Sequence, residues 1–420
     1  MNGKQRVIAI VLAVNSFACM GDFFIMSPAL SSLYDLFPDA NMTLLGMILT
    51  ISSLAVLTAS LLTPLLEKHF KLKTLLVCGN IIFLVGGFAC AFSSTFEFML
   101  CMRLAEGFGT GMVITSSTAL IAVLFYDDEQ MRNKTMGLTG AFTSVFGFCL
   151  SLASGYFGTI SWQLPFYLYL FNVAIIVLDL LFVPCHSLDD SHSPVNGGYL
   201  ENLEFVGESG SRPHRRLSKS AVFVCIEGFA FAIMTSAFFV YISQYVVETG
   251  TGDSSLSGAI LAAETLAAFP MGLALSYLMR RFGSAVPLIA WAIMLIGRFI
   301  LQFLDVNMVF GLAAGLVFGL GYGLFYPWLY AKAAEVSEPF SEALTEGVVA
   351  GTYYLGTFAS AFVVDFFGSL VGDHSAVFAM RFVFICCIMM TVVTAIVALA
   401  KACENKKERF RNPIRLNENN

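Results

Sequence analysis

Long apolar runs alternate with short polar gaps about twelve times along this chain, with one longer polar interruption near the middle. Each run is about 20 residues or more, the length at which a helix crosses about 30 Å of hydrocarbon. The pattern predicts helical spans at 7–34, 41–66, 74–93, 95–125, 134–159 and 163–184. Six more follow at 220–247, 255–279, 284–304, 307–334, 343–371 and 375–401. Helices are the expected form because they satisfy every backbone N–H and C=O internally where no water is available. Most gaps are a handful of residues, which makes consecutive spans antiparallel neighbours. The expected fold class is an all-α membrane protein with twelve transmembrane helices. It divides into a first six-helix half at 1–184, a linker at 185–219, a second half at 220–401 and a tail at 402–420.

Composition agrees: 57% of residues are hydrophobic and only 12% charged. The net charge of −6 says less than the placement of the positive residues. With the N-terminus inside, the inner segments hold Lys4, Arg6, Lys68, Lys71, Lys73, Arg132, Lys134, Arg280, Arg281 and Lys332. The linker adds Arg212, Arg215, Arg216 and Lys219, and the tail adds Lys401 through Arg415. The outer loops hold acids instead: Asp35, Asp39, Glu248, Asp253, Asp305 and Asp373. This asymmetry places both termini and the linker in the cytoplasm. The linker reads as a flexible connector and the tail as a solvated end. The run after Lys4 and Arg6 is too long for a signal-peptide core and reads as the first span. Asn41-Met42-Thr43 matches a glycosylation sequon, which carries no meaning in so short a loop if the source is bacterial. Cysteines such as Cys19, Cys90 and Cys387 sit inside apolar runs without metal or disulfide spacing, so they read as small hydrophobes.

Six spans, a linker and six more suggest duplication, and the two halves echo each other. Basic loops follow span 2 (Glu67-Lys68-His69-Phe70-Lys71-Leu72-Lys73) and span 8 (Met279-Arg280-Arg281-Phe282-Gly283). In span 4, Arg103-Leu104-Ala105-Glu106-Gly107-Phe108-Gly109-Thr110-Gly111 carries an arginine followed by glycines at alternate positions. Gly21-Asp22 precedes Ser27-Pro28-Ala29-Leu30 in span 1, and Ser161-Trp162-Gln163-Leu164-Pro165-Phe166 opens span 6. On these residues the chain resembles the major facilitator superfamily over nearly its whole length, and its drug/proton antiporters in span 1. The span 4 motif is the most specific match. The loop after span 2 keeps the leucine, acid and basic residues of the family's loop signature but loses both glycines. Span 5 departs as well: Gly147 to Gly155 has glycines but no proline, where antiporters usually carry a Gly-Pro pair.

Charged residues inside spans cost at least ~2.5–3.5 kcal/mol on insertion scales, so they face partners or a water-filled cavity. Asp22 lies roughly 22 Å into span 1, and Arg103 roughly 14 Å into span 4 from the other side, at a similar layer. The functional reading is a protonation site whose acid feels both desolvation and a nearby cation; the plainer one is a structural ion pair. Glu106, one turn from Arg103, reads as its neutralising partner. Glu264, near the middle of span 8, is a second candidate acid. Glu227 in span 7 and Asp179 in span 6 lie nearer the cytoplasm. Arg298 in span 9 reads as snorkelling or pairing with Asp305, with an anion site as the alternative. Phe238, Tyr241, Tyr245 and Tyr322 are candidate cavity aromatics, together with Glu227. Glu67, Lys68, Lys71 and Lys73 are a candidate latch across the cytoplasmic face. The glycines of spans 4 and 10 (Gly315, Gly319, Gly321 and Gly323) read as close packing, with Pro327 as a kink.

No nucleotide-binding glycine loop is present, which argues against ATP as the energy source. No nucleophile–base pair or metal cluster appears, so an enzyme is not expected, nor a cofactor or a metal. The leading expectation is a monomeric secondary transporter working by alternating access, exporting apolar or cationic small molecules against protons. The expected partners are the lipid bilayer, a small-molecule substrate and protons, without nucleic acid, and the expected place is a bacterial inner membrane. Uptake of a metabolite or organic anion on Arg103 or Arg298, and a sensor that binds without transporting, are the alternatives.

Overall fold

The computed structural model describes residues 3–34, 36–37, 42–126, 128–184, 218–303, 307–337 and 342–411. Among them the secondary structure is helical throughout. The linker arginines, Asp35, Asp39, Asp305, Asn41 of the sequon and the tail beyond 411 lie outside the described residues.

Eleven helical segments are long and apolar enough to cross a membrane. One of them, Ser254–Phe303, is 50 residues long, far more than one crossing needs. It contains two helices, Ser254–Phe282 and Val286–Phe303, broken at Gly283, whose φ of 53° is in the left-handed region open to glycine. The eleven segments therefore hold twelve membrane-length helical runs. Their outward faces are apolar: Leu181 and Leu273 are 70% exposed and Val309 71%. Such residues suit a lipid solvent and no aqueous one.

Span 1 is not one helix, as the apolar run predicts, but two, Gly3–Val14 and Ser16–Tyr34. The break falls at Asn15, whose side-chain amide donates to the Val11 carbonyl, a local bond that competes with the helix ladder. Span 6 opens as a 3-10 turn, Leu164–Phe171, before the α-helix Asn172–Phe182. The last helix, Ala376–Arg411, runs beyond the expected end of span 12 at 401 into the segment read as tail. Several starts are capped as their sequences dictate. Thr95, Asp128, Ser218 and Asn307 each accept a hydrogen bond from the backbone N–H three residues on. Asp253 accepts from the Ser255 hydroxyl (2.5 Å) and from the Ser255 N–H (2.9 Å), and these bonds hold its carboxyl below the usual range.

Glycines set the packing inside each half. In span 4 (Phe96–Leu124), a Cβ on Gly107 would lie 2.3 Å from the Ser52 carbonyl of span 2, and one on Gly111 2.5 Å from that of Val56. A Cβ on Gly109 would lie 2.3 Å from the Phe83 nitrogen of span 3. Span 10 (Met308–Val336) repeats the arrangement. A Cβ on Gly319 would lie 2.1 Å from the Glu264 carbonyl of span 8, and one on Gly323 2.2 Å from that of Ala268. A Cβ on Gly321 would lie 2.7 Å from the Ala290 carbonyl of span 9. Bare backbones let helices approach to this distance where no hydrophobic force drives them together.

The halves meet closely at one end. Ser27 Oγ of span 1 donates to the Phe239 carbonyl of span 7 (2.5 Å), and Ser243 Oγ donates to the Pro28 carbonyl (2.8 Å). Spans 5 and 8 cross at Gly155 and Gly258, where a Cβ on Gly258 would meet the Ser151 carbonyl at 2.3 Å. Ser254 Oγ donates to the Gly155 carbonyl (3.0 Å). All these residues lie towards the loops joining spans 1–2, 5–6 and 7–8. Towards the opposite end, a Cβ on Gly137 or Gly140 of span 5, or on Gly347 of span 11, would meet nothing within 4 Å.

Candidate functional site

The first half is organised around Arg103. Its side chain is wholly buried, and every nitrogen has a partner. Nε donates to the Ile48 carbonyl of span 2 (2.8 Å), and Nη1 donates to the Tyr169 hydroxyl of span 6 (3.1 Å). Nη1 also lies 3.1 Å from Glu106 Oε2, one turn along span 4. Nη2 bonds the Asp22 carboxylate of span 1, which also accepts from Ser52 Oγ (3.0 Å). One guanidinium thus joins spans 1, 2, 4 and 6. Asp22 is 2% exposed and Glu106 0%.

The charge count of this cluster decides its chemistry. Two carboxyls share one cation, so with both ionised the site holds a net negative charge away from water. An uncompensated buried charge costs several kcal/mol. One proton on either carboxyl makes the cluster neutral. The proton-coupling candidates Asp22, Arg103 and Glu106 are therefore brought into one constellation. Ser52 and Tyr169 complete it; neither is charged, and nothing in the local sequence distinguishes them from other small or aromatic packing residues.

Glu264, the fourth candidate, is elsewhere. It is 1% exposed on span 8, and its Oε2 has no hydrogen-bond partner. Arg298 does not snorkel: it is 3% exposed, with its guanidinium carbon 3.7 Å from the Phe238 ring centroid and 4.1 Å from that of Phe318. Burying the aliphatic stem among spans 7, 9 and 10 takes the head away from the interface.

The cavity candidates divide. Tyr322 is half-buried and stacks on Tyr326 (5.7 Å between centroids, 11° between planes) and on Phe231 (5.6 Å). Tyr326 also meets Tyr330 and, across to span 11, Tyr353. Positions 322, 326 and 330 recur at helical spacing, so they share one face of span 10. Cys19 of span 1 lies near Tyr322, Tyr330, Tyr353 and Tyr354, which sets this phenolic wall opposite the first half. Phe238, Tyr241 and Tyr245, by contrast, are packed between helices in this conformation. The Tyr245 hydroxyl donates to the Leu301 carbonyl (3.0 Å), and Phe238 supports Arg298. Glu227 is buried on span 7.

A second polar network was not expected. Asp179 of span 6 accepts from the amides of Asn15 (2.9 Å) and Asn80 (3.0 Å), and Asn80 also donates to Asn15 Oδ1 (2.7 Å). Asn172 Nδ2 donates to the Asn80 carbonyl (2.9 Å). This closed triangle ties the break in span 1 to spans 3 and 6. Only Asp179 carries a charge that singles it out in the sequence; the three asparagines are neutral and scattered.

The loop after span 2, the candidate latch, makes its contacts within its own half in this conformation. Among the described residues no ion pair links it to the second half. Lys68 and Lys71 are exposed, and Lys73 Nζ donates to the Leu180 carbonyl (2.8 Å) at the end of span 6, within the same half. A helix C-terminus offers unpaired carbonyls nearby, and these outcompete a distant carboxylate. Glu67 is half-buried with Oε1 unpartnered, and burial pushes its carboxyl up to about 7 from the ordinary 4.5. The folded protein thus favours protonated Glu67. The stability this contributes is complete below about pH 4.5 and is lost as pH rises through about 7. Partial exposure keeps it small. Glu67→Gln holds the neutral form at every pH, so thermal midpoints across that window should decline less in the variant than in the wild type. Superimposable profiles would show that Glu67 is solvated.

Eleven membrane-length helical segments among the described residues, built around a buried ion cluster, define an integral membrane protein. The family model of the Major Facilitator Superfamily matches residues 12–361, and the chain belongs to this superfamily. Over 183 residues it is 24% identical to the multidrug efflux pump SdrM of Staphylococcus aureus, covering 44% of this chain and 40% of that one. Over 139 residues it is 28% identical to the methylenomycin A resistance protein of Bacillus subtilis, covering 33% and 29%. The matches span less than half the length of these curated relatives. Among solved structures, the bacterial homolog of the lysosomal transporter Spinster superposes with a TM-score of 0.73 at 12% identity, over 95% of this chain and 97% of that one. The D-xylose–proton symporter gives 0.69 at 14%, over 92% and 96%. These structural likenesses concern the fold alone.

Proposed function

We propose that this protein exports small apolar or cationic molecules in exchange for protons, by alternating access. The Asp22–Arg103–Glu106 cluster carries the reading. It needs one proton to be neutral when buried and none when water reaches it, so its proton occupancy follows the opening and closing of the cavity. The tyrosine wall of spans 10 and 11 supports the substrate class, since phenol faces attract cations and apolar surfaces alike. The partial likeness to an efflux pump and a resistance protein supports the direction.

By the Lys/Arg asymmetry, the closed end of the bundle faces outward, so the described conformation is inward-open. Both termini lie in the cytoplasm, and the membrane is the inner membrane of a bacterium. In everted vesicles holding this protein, energisation should drive accumulation of a fluorescent lipophilic cation, and collapsing the proton gradient should release it. Accumulation that survives collapse of the gradient, or that occurs only in right-side-out vesicles, would overturn the proposed coupling or the proposed direction.

A further inference from the structure

The two halves are more alike than their charged residues suggest. Gly107, Gly109 and Gly111 of span 4 and Gly319, Gly321 and Gly323 of span 10 occupy matching places. Gly107 presses on Ser52, and Gly319 presses on Glu264. By the same shift along the chain Arg103 matches Gly315, Glu106 matches Phe318, and Ile48 matches Ile260. Spans 3 and 9 also match. A Cβ on Gly86 would meet the Glu106 nitrogen at 2.5 Å and the Met102 carbonyl at 2.8 Å. One on Gly297 would meet the Phe318 nitrogen at 2.7 Å and the Ala314 carbonyl at 3.0 Å. The next residues, Gly87 and Arg298, are therefore counterparts.

An exchange emerges from this register. The first half has arginine on span 4 and glycine on span 3; the second has glycine on span 10 and arginine on span 9. Arg298 lines a crevice with Ile260, Gly315 and Phe318, the counterparts of Ile48, Arg103 and Glu106. In the first half, Ile48 accepts from the Arg103 guanidinium and Glu106 pairs with it. Each half thus buries one guanidinium in the same place, delivered by a different helix. A Cβ on Gly87 would meet the Tyr169 ring at 2.1 Å, so the first half has no room for a side chain there.

The two sites differ in state. Arg103 is fully bonded to oxygens, whereas among the described residues no oxygen accepts from any of the three guanidinium nitrogens of Arg298, whose one polar neighbour besides Glu264 is the Cys387 thiol. Glu264 lies within its electrostatic reach, yet among the described residues no ion pair joins them. Among the described residues, Arg298 from span 9 and Tyr322 from span 10 are the titratable groups that face Glu264. The Cys387 thiol of span 12 adjoins Arg298. A buried acid and a buried cation, near each other with unused hydrogen-bonding atoms, cost several kcal/mol unless something compensates them.

The geometry points to Glu264 and Arg298 as a second proton site, the second half's counterpart of the Asp22–Arg103 site. Glu264 binds a proton while it stands apart from Arg298. It releases that proton to cavity water when the two side chains meet and the carboxylate takes up the guanidinium N–H groups. Glu264 is the proton-binding residue and Arg298 its positioning residue. The inference rests on the proton-coupled reading, but the two can fail separately.

The test is the infrared C=O stretch of protonated carboxyls in the full-length protein in lipid, followed against pH without any substrate. Glu264→Gln should delete one titrating band and leave the band that Asp22→Asn deletes. Arg298→Gln should keep the Glu264 band and move its midpoint to higher pH by about one unit or more, because a nearby cation is lost. Arg298→Lys should restore most of that midpoint, and it serves alone if the glutamine variant does not fold. A Glu264→Gln spectrum identical to wild type would overturn this second site while leaving Asp22 untouched. So would a Glu264 band indifferent to both Arg298 variants. Loss of no band in Asp22→Asn would count against the first site instead.

Discussion

Asp22→Asn is expected to abolish uphill transport while exchange of substrate across the membrane survives. The amide keeps the size of the carboxyl; its Oδ1 can still accept from the Arg103 guanidinium, and its Nδ2, in place of Oδ2, can donate to Ser52 Oγ. What changes is the charge count. Arg103 is left with Glu106 alone, 3.1 Å away, and the cluster is neutral without a proton. The occluded protein then closes equally well with or without a proton gradient, and the gradient has nothing to act on. The wild-type cluster needs its proton to avoid burying a net charge, a difference of several kcal/mol, which corresponds to about a hundredfold or more in coupled accumulation. Proteoliposomes loaded with a fluorescent lipophilic cation measure both modes, gradient-driven accumulation and counterflow at zero gradient. A variant that still concentrates the probe, with wild-type dependence on pH, would place the coupling acid outside this cluster.

Gly258→Leu is expected to hold the transporter open on the side that the present conformation closes. Spans 5 and 8 cross at Gly155 and Gly258, and a single Cβ at 258 would already stand 2.3 Å from the Ser151 carbonyl and 2.9 Å from the Gly155 Cα. Backbone cannot move aside as a flexible side chain can, so the helices must part. Overpacking costs about 1–3 kcal/mol even where side chains absorb it. Moving a two-state equilibrium from 1:99 to 99:1 takes about 5.5 kcal/mol. The full leucine side chain at a backbone crossing supplies a large part of that, so outward-open molecules should rise at least about tenfold. Cys19 reports the shift, because it is partly exposed on span 1 beside the tyrosine wall. With the other cysteines replaced, a membrane-impermeant maleimide added outside intact cells should label Cys19 faster in Gly258→Leu than in its parent. An unchanged external rate would mean that this crossing is not the gate.

The register of the two halves shows where sequence reading stops. The alternating glycines of span 4 and of span 10 are both plain in the sequence, and each reads as close packing. That they are the same device becomes visible only when each glycine is seen against its partner, Gly107 on Ser52 and Gly319 on Glu264. Arg298 illustrates the cost of missing it. Five residues from the end of its span, it reads as a snorkelling residue, because linear depth says nothing about which way a helix face turns. Asn15, Asn80 and Asn172 were invisible for a related reason: an asparagine in an apolar run has no charge to mark it, and its partners lie on other spans.

By itself the sequence determined the membrane class, the helical secondary structure, nearly all span positions and the resemblance in span 4. These depend on composition and on period along one chain, since hydrocarbon penalises any unpaired backbone group wherever it occurs. It also named Asp22, Arg103 and Glu106, because a charge inside an apolar run is costly enough to need a reason. Only the tertiary structure decided that these three meet in one buried cluster, and that Ser52 and Tyr169 belong with them. It separated the half-buried Tyr322 from the packed Tyr241 and Tyr245, returned Lys73 to its own half, and set Arg298 beside Glu264. Each of these turns on which faces of different helices meet. Span length and hydropathy do not encode that choice; the glycine contacts between helices do.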